Sequence, residues 1–479
     1  MGIFNFFHSP EGEDKQHNYL TKLEEKLEKA LTPFEEFAQS QIAAGGLLLF
    51  ATFAALIIAS IPWTYPYYIK LVNAHIGFHI GNYAFNADLK YWVNDILLTL
   101  FFFVIGLEIK REFLVGEFVN FKKATLVIVA AIGGMIIPVL IYSLATYQNS
   151  LALRGWGIPM ATDTAFMLGI LALFRDKFPK GLIAFMVAVA IVDDIGAILI
   201  IALFYTESVV GIYILIAALF LCMLIIFNLA GVRKPLPYLC IGMLVWLMTE
   251  LSGVHGTIAG ILIAFTIPAR PKKGPKYVIS HVRKLITGFE LRKKQTPLVL
   301  QDEKQHRMLE EVQMLAKHAT TPLQSWEHAL ALPVALFILP LFALTNAGIP
   351  LTLPLLKTAL SSTVTIGIAL ALALGKPTGI ISFCYFACKF KIGKLPKNTK
   401  LSQIAGAAIL AGIGFTMSLF IADLSFPENA QRLLLAKTGI LLGSLIAGIL
   451  GALWLMLLPK PVEDIPDLSS INITENPWA

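Results

Sequence analysis

The sequence predicts an all-α polytopic membrane protein of about twelve transmembrane helices with a small external β-hairpin. Three observations carry that expectation. Of 479 residues, 57% are hydrophobic and only 14% charged, and mean hydropathy is +0.72, which excludes an ordinary soluble globule. Apolar runs of about 20 residues, enough to cross a ~30 Å hydrocarbon layer at ~1.5 Å per residue, recur along the chain. Lysine and arginine collect in alternate loops, the pattern that orients membrane helices. The net charge of +7 resides in those loops and does not suggest nucleic acid.

Residues 1–41 form an N-terminal cytoplasmic segment. Leu20, Leu23, Leu27 and Leu31 recur there at helical spacing among alternating acids and bases, predicting an amphipathic helix over 11–36. Residues 1–36 are mixed in charge and lack the apolar core and cleavage pattern of a secretory signal. Spans 1–8 occupy 42–270, near 42–61, 91–109, 124–146, 156–174, 181–205, 211–230, 236–249 and 254–269. Between the first two, Ile76, Phe78 and Ile80 alternate, Gly81-Asn82 signals a two-residue turn, and Tyr83 and Phe85 alternate back. This hairpin, 75–86, offers an edge to a second copy, so a homodimer through it is expected. Residues 271–323 are a polar cytoplasmic insertion whose second half places Met308, Leu309, Val312 and Leu315 on a helix. Spans 9–12 occupy 324–458, near 328–347, 359–387, 402–422 and 434–458, and 459–479 is an acidic cytoplasmic tail.

Loop charge fixes the orientation. Lys110, Arg111, Lys122 and Lys123, then Arg175, Lys177 and Lys180, then Arg233 and Lys234, fall on one side. The basic residues of 270–317 and of 389–400 follow on that same side. The opposite loops 206–210 and 345–356 carry no lysine or arginine, and 148–155 has only Arg154. Both termini should therefore be cytoplasmic.

Four polar features interrupt the apolar runs. Asp193 and Asp194 sit side by side at the middle of Gly181–Tyr205. Each costs roughly 2.5–3.5 kcal/mol at a helix centre, and a core does not need adjacent acids. Handling a cation, a proton, or both would explain them. Asp163 lies close to Pro159, Thr162 and Thr164 inside another run. Proline removes a backbone donor and threonines satisfy freed carbonyls, so this predicts a helix broken within the membrane, rich in hard oxygens. A plain proline kink is the alternative. Lys376, between Gly375 and Pro377 and close to Gly379, is a lone deep base whose best partners on charge grounds are Asp193 or Asp163. Misplacement of the span boundary would instead make it an interface lysine. Gly406, Gly412, Gly414 and Thr416 lie in an uncharged run, as a packing device or as a second broken helix matching the first. The four cysteines are in or beside apolar segments. Cys384 and Cys388 share a helix face, but no further ligand completes a metal set in sequence.

These residues resemble the NhaA family of sodium/proton antiporters. The matching stretches are NDILLTLFFFVIGLEIKREF (94–113), AAIGGMIIP (130–138), GWGIPMATDTAF (155–166) and VAIVDDIGAILIIALFYT (189–206). SGVHGTIAG (252–260), LPLFALTNAGI (339–349), GKPTGI (375–380) and GIGFTMSLFIA (412–422) follow in family order. The resemblance implies inverted repeats with two crossed discontinuous helices, and an interface domain bearing the hairpin. It implies that Asp194, with Asp163 and Thr162 close by, binds the transported ion, and that Asp193 pairs with Lys376. Pro159, Gly412, Gly414 and Thr416 would support the breaks. Glu108, Arg111, Glu112, His255, Glu327 and His328 would belong to the pH response. Two departures bear on that response: Ala329, Leu330 and Ala331 follow His328 with no second histidine, and the insertion 271–323 exceeds the usual family loop.

The expected activity is electrogenic, pH-regulated exchange of sodium or lithium for protons across a bacterial inner membrane. The chain would be a transporter rather than an enzyme, with its ions as substrates and no cofactor. Carboxylates that hold either a cation or a proton couple the two flows, provided only loaded states reorient. Because adjacent helical residues point ~100° apart, Asp193 and Asp194 should do different jobs. A passive cation channel could use the same acids without proton counterflow. An intramembrane aspartyl protease would need a GxGD sequence, which is absent, and would leave Lys376 unexplained.

Overall fold

The computed structural model describes residues 41–80, 83–119, 121–174, 177–206, 209–272, 274–293, 303–396 and 399–458. The amphipathic helix expected over 11–36 and the tail 459–479 lie outside them. The described chain is helical apart from one strand pair. Eight helices are long and apolar enough to cross a membrane, and ten if each of two bent pairs counts as one span. Two shorter apolar helices, Pro235–Leu251 and Gly256–Thr266, occupy the positions of expected spans 7 and 8.

Helix α1 (Gln41–Ser60) is followed by a short α2 (Tyr65–Val72) with Pro66 in its first turn. Strands β1 (His75–Ile80) and β2 (Tyr83–Asp88) pair antiparallel, from His75 opposite Asp88 to Ile80 opposite Tyr83. The Asp88 carboxylate then accepts the Tyr91 amide at 2.7 Å and starts the next helix. That helix, α3 (Leu89–Val115), contains a π turn over Trp92–Leu97. Next come α4 (Phe121–Thr146), a 3-10 stretch Arg154–Met160, α5 (Thr164–Leu173), α6 (Lys180–Phe204) and α7 (Gly211–Leu229). The two short apolar helices are α8 and α9.

The insertion folds as two helices, α10 (Pro275–Lys293) and α11 (Glu303–Ala319), packed together with Gly288 against Met308. The first was not assigned from the sequence, although Val278, Val282, Leu285 and Phe289 recur there at helical spacing. The insertion's two ends are tied at its base by the Leu323 amide, which donates to the Pro268 carbonyl at 3.2 Å. Then come α12 (Pro322–Asn346), a surface helix α13 (Leu353–Ser361) and α14 (Thr363–Lys389). Expected span 10 thus begins later than residue 359: extended backbone at Ser362 separates α13 from the crossing helix. Helices α15 (Leu401–Ala411), α16 (Phe415–Ser425) and α17 (Ala430–Leu457) close the fold.

Two apolar cores organise these helices. The larger joins α4, α6, α14, α15, α16 and α17 with faces of α1, α3 and α12. The smaller gathers α7, α8 and α9 around Leu107 of α3. Glycine decides the tightest contact of the larger core. A Cβ on Gly379 of α14 would lie 2.1 Å from the Gly133 carbonyl oxygen of α4, so only hydrogen fits there. This approach brings the Lys376 stem alongside Gly134 and seats the lysine in the protein interior.

Candidate cation site

The site is built where two helices break. Pro159 lies in the last turn of the 3-10 stretch, Ala161 is extended, and Asp163 caps α5 by accepting the Phe166 amide at 3.1 Å. The segments on either side are bent by 42°. The second break lies at Gly412–Gly414, with a 45° bend between α15 and α16. A Cβ on Gly412 would lie 2.4 Å from the Leu372 carbonyl, so a side chain there would drive the break apart.

The two breaks touch. The Asp163 amide donates to the Ile413 carbonyl at 2.7 Å, and Ser418 Oγ donates to the Ile158 carbonyl at 2.8 Å. Thr416 donates to Asp163 Oδ2 through its amide at 2.9 Å and its hydroxyl at 2.6 Å. Asp163 therefore lies between the positive ends of α5 and α16, each of which favours a negative group.

Helix α6 passes this crossing and presents its two aspartates differently. Asp193 Oδ2 lies 3.0 Å from Lys376 Nζ and accepts the Thr162 hydroxyl at 2.7 Å. Lys376 also donates to the Met160 carbonyl, one of those near the break. Both members of the pair are fully buried. Asp194, one residue on, leaves Oδ1 buried without a hydrogen-bond partner among the described residues. Burying a carboxylate oxygen without a partner is costly, which marks Asp194 as the candidate ion-binding group.

A cavity of about 380 Å³ reaches this point, lined by Glu108, Thr162, Asp163, Asp194, His328 and Thr416 among apolar side chains. Its rim includes the exposed Ala331 and Leu332. The carboxylate and hydroxyl oxygens along the cavity form a hard donor set suited to an alkali cation.

The remaining sequence candidates divide. Arg111 bonds Glu327 at 2.5 Å and Glu112 at 3.5 Å, while Glu112 also accepts the Glu117 amide at 3.1 Å. This cluster adjoins the cavity through Glu108 and His328 but does not line it. His255 stands apart, at the start of α9 beside Glu250, which accepts the Gly256 amide at 2.9 Å. Glu250 also accepts the Tyr91 hydroxyl at 3.3 Å, near the opposite end of α3 from Arg111. Sequence reasoning missed a second, partly buried ion cluster, Lys90, Asp423 and Lys437. Lys437 inside an otherwise apolar α17 was its available signal. Asp423 escaped notice by falling one residue past the apolar run 405–422.

Broken helices meeting at buried acids, inside a bundle of membrane-crossing length, define a multi-pass ion transporter. Comparison with known proteins narrows the class. A profile of the family described as Na+/H+ antiporter 1 matches residues 35–455, and the chain belongs to that family. It is 42% identical over 440 residues to "Na(+)/H(+) antiporter NhaA 1" of Saccharophagus degradans, covering 92% of this chain and 94% of that one. It is 44% identical to "Na(+)/H(+) antiporter NhaA 1" of Shewanella denitrificans over 92% and 98% of the two chains. It is 43% identical to "Na(+)/H(+) antiporter NhaA" of Acidithiobacillus ferrooxidans, over 91% of this chain and 100% of that one.

Proposed function

We propose that the chain exports sodium, and lithium by the same oxygen chemistry, in exchange for protons across a bacterial inner membrane. The observation that carries this is Asp194: a buried carboxylate with an unpartnered oxygen, lining a cavity beside the Asp193–Lys376 pair. Asp194 holds a proton or a cation and never both. Asp163 and Thr162 complete the cation shell when Thr416 yields. Asp193 releases or regains Lys376 as its neighbour fills, so two flows of unequal charge are linked and exchange is electrogenic. The protons belong to this coupled cluster rather than to one residue.

The orientation follows from loop charge: both termini are cytoplasmic and the cavity opens inward past His328. The two short helices α8 and α9 bring the spans to twelve, and the two broken helices are equivalent members of inverted repeats. The Arg111–Glu327 cluster at the cavity's edge is the pH-responsive element, with Glu108, Glu112 and His328, while His255 acts from the other end of α3. The hairpin edge pairs with a second copy to form a dimer. The ions are substrates, and no cofactor takes part.

The test is the purified protein in liposomes under an imposed proton gradient, with lumenal pH followed while sodium, lithium and potassium are added in turn. Sodium and lithium should each move protons out of the lumen in proportion to the gradient, and potassium should not. Sodium flux without proton counterflow would mean a channel and would sink the proposal.

A further inference from the structure

The second, partly buried ion cluster lies beyond the cation site, on the side away from the cavity. Lys437 of α17 donates to Asp423 Oδ1 of α16 at 3.2 Å and to the Asn346 carbonyl at the end of α12 at 3.0 Å. Lys90 at the start of α3 reaches the same Asp423 Oδ1 at 3.0 Å. Beneath it, Asn94 of α3 and Asn346 of α12 exchange amide bonds at 2.8 and 3.3 Å. Asp423 and Lys437 side chains are each 10% exposed and Lys90 30%. Seven residues of α16 separate Asp423 from Thr416, about 10 Å at ~1.5 Å per residue. Along α3, Asn94 precedes Glu108 by fourteen residues, about 21 Å on the same rise.

What these bonds connect is the point. Helices α3 and α12 supply one wall of the cavity, through Glu108, His328, Val334 and Leu339. Helices α16 and α17 pack with the 3-10 stretch, α14 and α15, which carry the breaks and Lys376. At the cavity end these two groups are parted. At the other end Lys90–Asp423 and Lys437–Asn346 tie them together. We infer that the Lys90, Asp423 and Lys437 cluster, with Asn346, locks the external ends of the two groups, and that the cation site opens outward only when this lock parts. The inference rests on the antiport reading above, because only alternating access requires such a step.

The lock is built to be reversible. Asp423 Oδ2 is buried and has no hydrogen-bond partner among the described residues, so the carboxylate is incompletely satisfied when closed. Two ammoniums share the other oxygen. Water entering from outside rehydrates Lys90, the most exposed of the three, first and gives Oδ2 the partner it lacks. A fully satisfied buried pair would resist opening much more strongly. Lys90, Asp423 and Lys437 do not line the cavity that reaches the cation site. They are positioning residues, acting on which face of the site is open.

The experiment uses the full chain with Cys222, Cys240, Cys384 and Cys388 replaced, reconstituted in liposomes. One variant carries Lys90→Cys with Asp423→Cys, joined by a short bifunctional methanethiosulfonate that dithiothreitol removes. Bridging should stop sodium-driven proton exchange, and reduction should restore it. A second variant, Asp423→Asn, carries a reporter at Thr345→Cys, a buried position next to Asn346. Its labelling by an impermeant maleimide from outside should quicken several-fold, and Asp423→Glu should return it towards the parent rate. Undiminished exchange by the bridged protein overturns the lock, as does equal labelling of the Asp423→Asn and parent proteins. If the parent itself exchanges no protons for sodium, the antiport reading fails instead, and the labelling comparison still decides whether the cluster holds the external ends closed.

Discussion

Two lysine–aspartate clusters lie in this protein, and they are built with opposite charge balance. The inner one gathers three carboxylates, Asp163, Asp193 and Asp194, at the helix breaks with a single ammonium, Lys376, paired to Asp193. The outer one brings two ammoniums, Lys90 and Lys437, to the single carboxylate of Asp423. An excess of acid in a low-dielectric interior attracts a cation or a proton, and an excess of base repels both. The contrast extends to geometry. The inner cluster opens on a cavity and leaves a carboxylate oxygen of Asp194 unengaged. The outer cluster ties four elements together and does not line that cavity. One region is fit to bind the ion and the other to bar its way.

Breaking the inner cluster should have the largest effects. Asp194→Asn removes the charge for which sodium and protons are proposed to compete, and sodium-induced proton movement in liposomes should fall to background. Asp163→Asn should do the same. The neutral amide would present an NH2 or a weaker acceptor to two helix N-termini and Thr416, so its loss should be accompanied by weaker sodium binding by calorimetry.

Lys376→Ala is next. It leaves Asp193 buried without its ammonium, and loss of one partner of a buried pair costs about 3–5 kcal/mol. The variant should melt earlier, and the added Asp193→Asn change should recover part of that loss in a double-mutant cycle. Additive destabilisation would mean the pair is not coupled. Gly379→Ala should cost about 1–3 kcal/mol through overpacking against the Gly133 backbone. It would act on the inner cluster indirectly, by displacing the helix that carries Lys376.

The smallest change is expected at the cavity's edge. Glu327→Gln keeps the fold and removes the charge facing Arg111, a partly exposed pair. Transport should persist, with its activity-versus-pH curve displaced along the pH axis. A curve identical to that of the parent would remove this cluster from pH control. On the proposed mechanism protons and sodium compete for one set of oxygens in the parent, which requires the sodium KM to rise as pH falls. The slope of log KM against pH counts the protons displaced. A KM independent of pH would dissolve the difference drawn between the two clusters.

The contrast was half legible in the sequence. Asp193, Asp194, Asp163 and Lys376 announce themselves because a charge inside twenty apolar residues has no bland explanation. Pro159 and the Gly412–Gly414 pair marked the breaks for the same reason: each removes a constraint or a donor that a continuous helix needs. Composition could not say which acid pairs with Lys376, since 183 residues of chain separate it from Asp193. That pairing depends on the close approach of Gly133 and Gly379. The outer cluster was missed because Lys90 and Asp423 lie at run boundaries, where charges are ordinary. Only the fold shows that Asp423 turns inward to Lys437. Helix α10 was missed although Val278, Val282, Leu285 and Phe289 recur at helical spacing, because basic residues crowd between them.

The most direct measurement is proton release on sodium addition to the purified, weakly buffered protein, compared with Asp194→Asn. The parent should release protons as sodium rises, in a saturable manner, and Asp194→Asn should release none. Equal release by the two proteins would contradict the claim that sodium and protons contest Asp194.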